Sequence, residues 1–151
     1  RHAYGKDFRY DEAMLAGRGL KGRLTASGIA SGLAGFMVAS AIPPSRWFME
    51  RFFLPAPGEG PSAEAQRKGS FDLRFVGHTA GGGTIRTRVT GDRDPGYGST
   101  AKMLGQAGAC LALDTPRSRA PGGFWTPATI FGDRLVERLT AYAGLTFEVE
   151  A

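Results

Sequence analysis

Hydrophobic and polar positions follow two periods along this chain, and the period changes at its prolines and glycines. From Leu24 to Ile42 nineteen residues carry no charge (LTASGIASGLAGFMVASAI). Within them Ser27, Ser31 and Gly35 recur every four residues, as do Gly28 and Gly32. That spacing predicts a helix with a ridge of small side chains, over which another element can approach closely. A helix packed against protein is the leading reading, with Gly28 and Gly32 at the contact. A helix lying on a lipid surface and one spanning a bilayer stay open, because the length suffices. Basic residues also flank it, with Arg18, Lys21 and Arg23 before and Arg46 and Arg51 after. Pro43-Pro44 ends the helix. Ser45 to Leu54 then forms an amphipathic segment carrying Trp47, Phe48, Phe52 and Phe53, so the apolar helical region spans 24–54.

After the turn-rich connector Pro55 to Pro61, Ser62 is placed to cap a short helix over Ala63 to Lys68, closed by Gly69. A hairpin follows from strict alternation. Phe71, Leu73 and Phe75 alternate with Asp72, Arg74 and Val76, Ala80 to Gly83 turns the chain, and Ile85, Thr87 and Val89 alternate with Arg86 and Arg88. Asp94-Pro95-Gly96 leads into a helix over 97–113 with the stripe Tyr97, Ala101, Leu104, Gly108 and Leu111, widened by Met103, Ala107 and Cys110. Thr126-Pro127 starts a further helix that should bury Phe131, Leu135, Leu139 and Tyr142 and end near Gly144. Leu145 to Val149 reads as a last strand. Ahead of all this, Phe8-Arg9-Tyr10 alternates like a strand, 11–16 suits a strand or a helix with strand the leading reading, and 1–22 reads as the tail of an element that began earlier. The pattern is α+β, a sheet including one antiparallel hairpin covered by helices, in a single domain over 1–151.

Composition changes this picture little. Hydrophobic residues make up 42% and charged ones 22% of 151 residues, which suits a folded chain rather than a disordered one. The net charge of +5 is dispersed from Arg1 to Arg138 instead of gathered on one face, which argues against nucleic acid as a partner. The lone Cys110 excludes an internal disulfide and reads as a buried small hydrophobe. With no signal peptide at this N-terminus, a cytoplasmic location is expected.

Three motifs invite chemical readings. Gly17-Arg18-Gly19-Leu20-Lys21-Gly22 matches G-x-G-x-x-G, but a dinucleotide loop follows a hydrophobic strand and needs an acid about 20 residues later. No acid occurs between Glu12 and Glu50, so no cofactor-binding residue is expected in this chain. His2 and His78 lack clustered ligands, so no metal site is expected. Asp72, Arg74, Arg86 and Arg88 can pair across the hairpin as a solvated face. The stretch 94–102 is denser in polar groups than packing requires. Tyr97, Ser99, Thr100 and Lys102 gather at a helix N-terminus, where free amides and the dipole favour an anionic or carbonyl ligand. These four are the candidate substrate-binding residues, weighed against an ordinary capped helix start. Catalytic residues cannot be read from the chain.

The order and spacing of Pro57-Gly58-Glu59-Gly60-Pro61-Ser62, the hairpin, Asp94-Pro95-Gly96-Tyr97 with Thr100-Ala101, Gly122-Gly123, Thr126-Pro127-Ala128, Leu135, Arg138-Leu139, Gly144 and Phe147 resembles the C-terminal half of saccharopine-dehydrogenase-like oxidoreductases. Some bacterial members of that family are similar to trans-acting enoyl reductases of lipid biosynthesis. The resemblance implies an intact protein more than twice as long, in which an N-terminal Rossmann domain binds NAD(P). It implies further that the part seen here covers an acyl or other apolar substrate and contributes to a homodimer, and that the part alone is inactive. An interaction or lipid-surface module of the same fold, without the chemistry, is the alternative.

Overall fold

The computed structural model describes residues 8–118 and 122–150. They fall into two compact units that divide after Glu59, within the proline-rich connector between the apolar helices and the rest. His2 lies outside the described residues.

In the first unit, residues 8–17 have no regular structure, which corrects the strand read from Phe8-Arg9-Tyr10. The described sheet uses other strands. Tyr10 instead donates its hydroxyl to Glu12 Oε1 at 2.6 Å, a bond to a carboxylate that pushes the phenol's pKa up. Helix α1 runs Gly19–Ala41, five residues earlier than the uncharged run, because Gly17 and Gly19 turn the chain with φ of 100° and 65° that other residues resist. Helix α2 follows over Pro43–Phe52, with proline in its first turn. The Ser45 hydroxyl donates to the Ala39 and Ile42 carbonyls and ties the bend together. Phe48 stacks obliquely on Phe52 and Phe53, 5.0 and 5.7 Å between centroids, and Trp47 meets Phe52 edge-on.

Within its own unit, the glycines of the 24–42 run meet no packing partner. A Cβ added at Gly28, Gly32 or Gly35 would meet nothing within 4 Å, and none of the helix's most apolar stretch is buried. At 23 residues α1 is long and apolar enough to cross a membrane by length and composition.

The second unit holds the sheet. Helix α3 spans Ala63–Lys68, and its Ser62 hydroxyl accepts the Ala65 amide as expected of a cap. Strands β1 (Phe71–His78) and β2 (Thr84–Gly91) form the hairpin in unbroken register, Phe71 opposite Gly91 and His78 opposite Thr84. Strand β3 (Leu145–Glu150) pairs antiparallel on the other side of β2, so the order is β1-β2-β3. The register sorts side chains cleanly. One face carries Phe71, Leu73, Phe75, Val89, Leu145, Phe147 and their neighbours, and the other carries the charges. There Arg88 forks onto Asp72 (2.9 and 3.0 Å) and lies 3.8 Å from Glu148, clasping both outer strands. The bidentate bond from Arg88 holds Asp72 below the usual carboxylate range.

Helix α4 (Gly98–Ala109) runs into a π-helical turn over Cys110–Asp114, whose freed Cys110 carbonyl accepts the Thr115 hydroxyl. The stripe proposed for α4 needs correction. Tyr97 and Leu104 are exposed, and the covered side is Ser99, Met103, Ala107 and Cys110. The helix following Thr126 is two helices, α5 (Pro127–Phe131) and α6 (Asp133–Tyr142), broken at Gly132 with φ 55°. Thr126 caps α5 as expected. Of the residues proposed as buried there, Leu139 is buried and Phe131 and Leu135 half-buried, but Tyr142 is exposed and Ala143 takes its place. The core is small: Leu139, Ala143 and Leu145, with Phe71, Val89, Met103 and Leu135 against them. It covers one end of the apolar sheet face, at the Phe71–Gly91–Leu145 row, and leaves Leu73, Phe75, Ile85 and Val149 exposed.

Candidate functional site

The segment 92–102 joins β2 to α4, and its polar groups are mostly turned inward. Asp94 is the centre of the turn. Its Oδ2 accepts the Tyr97 amide at 2.7 Å and the Gly98 amide at 3.3 Å, and its own amide donates to the Gln66 carbonyl at 3.0 Å. Its carboxylate therefore occupies the anion position that a free helix N-terminus would offer. Ser99 is fully buried, with its hydroxyl on the Arg93 carbonyl (3.1 Å), and Thr100 donates to the Pro95 carbonyl (2.7 Å). Lys102 reaches across the unit to Asp92 Oδ1 (2.8 Å), Asp92 Oδ2 (3.0 Å) and the Ala143 carbonyl (3.1 Å). Ser99, Thr100 and Lys102 thus spend their polar atoms on the fold, and the four candidate residues do not converge on one hollow. Tyr97 differs from the other three. It is 55% exposed, its ring lies against Gly60, and its hydroxyl has no hydrogen-bond partner among the described residues.

Beside this turn lies a shallow hollow of about 340 Å³ lined by Ala63, Gln66, Arg67, Arg93, Gly98, Ala101 and Lys102. Lys102 is the only candidate residue on its rim. Arg67, Arg93 and Lys102 give the lining a basic character, and Arg67 and Arg93 make no ion pair among the described residues. The sequence pattern missed both, because Arg67 ends a short helix and Arg93 sits in a turn some 26 positions away. Nothing local in the chain joins them. A second hollow of about 510 Å³ is lined by Asp114, Arg134, Glu137, Arg138, Ala141 and Tyr142. Its two arginines are already engaged. Arg138 donates to Asp114 Oδ2 (2.8 Å) and Gln106 Oε1 (3.1 Å) and lies over the Tyr142 ring, while Arg134 bonds the Asp114 carbonyl.

The stretch Gly17–Gly22 lacks the strand that precedes a dinucleotide loop. Gly22 presses on the Gly17 carbonyl so closely that a Cβ there would collide. The Gly22 amide donates to the Arg18 carbonyl at 3.2 Å. No group of three or more His, Cys, Asp or Glu among the described residues could hold a metal ion.

Similarity to known proteins points to the enoyl reductases. Over 152 residues, 97% of the chain, it is 35% identical to a putative trans-acting enoyl reductase of Mycobacterium tuberculosis, of which the match covers 35%. Over 142 residues, 91% of the chain, it is 34% identical to trans-acting enoyl reductases of Mycobacterium bovis and Mycobacterium ulcerans, covering 33% of each. The chain thus spans about a third of the length of the curated relatives it matches. No protein-family model and no solved structure matches it.

Proposed function

We propose that this chain is the substrate-side part of an NAD(P)-dependent enoyl reductase of the saccharopine-dehydrogenase-like kind. The observation that carries the reading is the alignment of 97% of the chain with about a third of an enoyl reductase. A relative's remaining two thirds leaves room for an N-terminal Rossmann domain to hold the nicotinamide. In this reading Arg67 and Arg93 hold an anionic group of the acyl substrate, the apolar wall of Ala63 and Ala101 borders its chain, and the Tyr97 hydroxyl is available to a substrate carbonyl. The full-length protein encoded with this chain should consume NADPH or NADH when given a 2-enoyl thioester of coenzyme A. Changing Arg67 and Arg93 together to Ala should raise KM about tenfold by removing two charged hydrogen bonds, with nicotinamide affinity unchanged. The 151-residue chain alone should show no micromolar NAD(P)H binding by calorimetry. A full-length protein that turns over no enoyl thioester, or a doubly substituted one with unchanged KM, would remove the reading.

One observation favours a lipid-surface role within the same cytoplasmic protein. The most apolar stretch of helix α1 is exposed, and Arg18, Lys21, Arg23, Arg46 and Arg51 flank the uncharged run, the arrangement of an apolar segment with basic anchors. The chain should then float with vesicles containing phosphatidylglycerol in a density gradient. Recovery entirely in the protein fraction would exclude lipid contact by α1.

A further inference from the structure

Strand β1 is an open sheet edge, and its sequence is self-complementary. All eight residues belong to one regular ladder with β2 and none is proline. The strand order β1-β2-β3 leaves its other side unpaired within the described residues. From Asp72 to His78 every residue is exposed. Natural sheets usually blunt such edges with lysine, proline or a bulge, and β1 has none of these. Around Leu73 the strand reads Phe71-Asp72-Leu73-Arg74-Phe75, with matching apolar residues and opposite charges at equal distances from the centre. We propose that β1 pairs antiparallel with β1 of a second copy of this chain, about a two-fold axis through Leu73 and perpendicular to the sheet, to make a continuous six-stranded sheet.

The register follows from charge. With the axis at Leu73, Asp72 of each copy stands opposite Arg74 of the other, twice by symmetry, while Phe71 faces Phe75 and Leu73 faces Leu73 on the apolar side. Moving the axis one residue either way sets Arg74 against Arg74 or Asp72 against Asp72, which directly opposed like charges disfavour. Moving it to Phe75 sets Arg74 against Val76 and leaves the charges unmatched. The other open edge does not offer the same match. Self-pairing of β3 about Glu148 or Val149 opposes glutamates, and pairing about Phe147 sets Glu148 against Thr146. The proposed pairing also joins the uncovered Leu73 and Phe75 of both copies into one apolar face, a self-complementary interface of the kind that two-fold dimers use.

The test uses the whole 151-residue chain. In an antiparallel pair directly opposite Cβ atoms lie roughly 4.5–5.5 Å apart, so Leu73→Cys should be captured as a covalent dimer by a mild oxidant or a short bis-maleimide. Cys110 is buried and gives little background. Adding Arg74→Asp should cut the dimer yield about fivefold or more, since both charge pairs become repulsive. The exchange Asp72→Arg with Arg74→Asp should restore it. Neither variant strands Arg88. Residue 74 stands directly opposite Arg88 across the hairpin, so an aspartate there takes up the pairing, and superimposable circular-dichroism melts check that the fold is kept. Capture of Leu73→Cys that falls with Arg74→Asp and returns with the exchange establishes the interface. Absence of a covalent dimer, or a yield that Arg74→Asp leaves unchanged, overturns it, the second result locating any association on another surface such as α1.

Discussion

Leu139→Ala should lower the melting temperature of the sheet-containing unit by about 15 °C, the largest effect expected of any single truncation in the chain. Leu139 is 7% exposed and is the one large side chain that α6 buries against Ala143 and Leu145. Its removal deletes transfer energy and leaves a cavity where α6, α4 and β3 meet, about 3 kcal/mol by precedent for buried leucines. For a unit of this size each kcal/mol moves the midpoint by roughly 4–8 °C. The core has few other members to share the loss. Leu104→Ala is the control. It looks equally apolar in the sequence, yet Leu104 is 72% exposed and its truncation should stay within about 0.5 kcal/mol. Thermal melts of the two variants decide the matter, and equal shifts would mean that α4 packs through the Leu104 stripe after all.

Gly144→Ala should be nearly as damaging, for a different reason. Gly144 closes α6 with φ 70°, a left-handed position that costs a residue with a Cβ about 1–2 kcal/mol. That Cβ would also collide with the Asp92 carboxylate, the group that Lys102 holds together with the Ala143 carbonyl. The substitution therefore strains one helix end and drives Asp92 off Lys102, for a total of about 2–4 kcal/mol. A double-mutant cycle separates the two parts. In an Asp92→Ala background the obstacle is gone, and Gly144→Ala should cost only the backbone term. Strict additivity of the two substitutions would show that Asp92 is not the obstacle.

The candidate site was legible only as a place. The surplus of polar side chains after Asp94 marked the start of α4, but a linear pattern counts donors without showing where they are spent. Asp94 fills the helix end itself, Ser99 is sealed inside, and Lys102 is drawn to an aspartate ten residues back and to a carbonyl 41 residues on. Tyr97 is left available because its ring is held outside against Gly60. Arg67 and Arg93 form a hollow only because Asp94 bonds the Gln66 carbonyl and brings α3 beside the turn.

Local chemistry was enough to determine the elements whose causes are local. Ser62 and Thr126 cap the helices that follow them because a hydroxyl and an amide three residues apart find each other in the first turn. The hairpin follows from its alternation, since a period of two can bury only one face of a strand. Tertiary packing decided everything that depends on which face meets a neighbour. Phe8-Arg9-Tyr10 alternates like a strand but has no ladder, and α4 turned its Met103–Cys110 side inward although Leu104 and Leu111 are as apolar. Ala143, and not Tyr142, joins Leu139 and Leu145 in the core. For the small-residue ridge of α1 the pattern records only that a surface can be covered, because contact between distant segments decides what covers it.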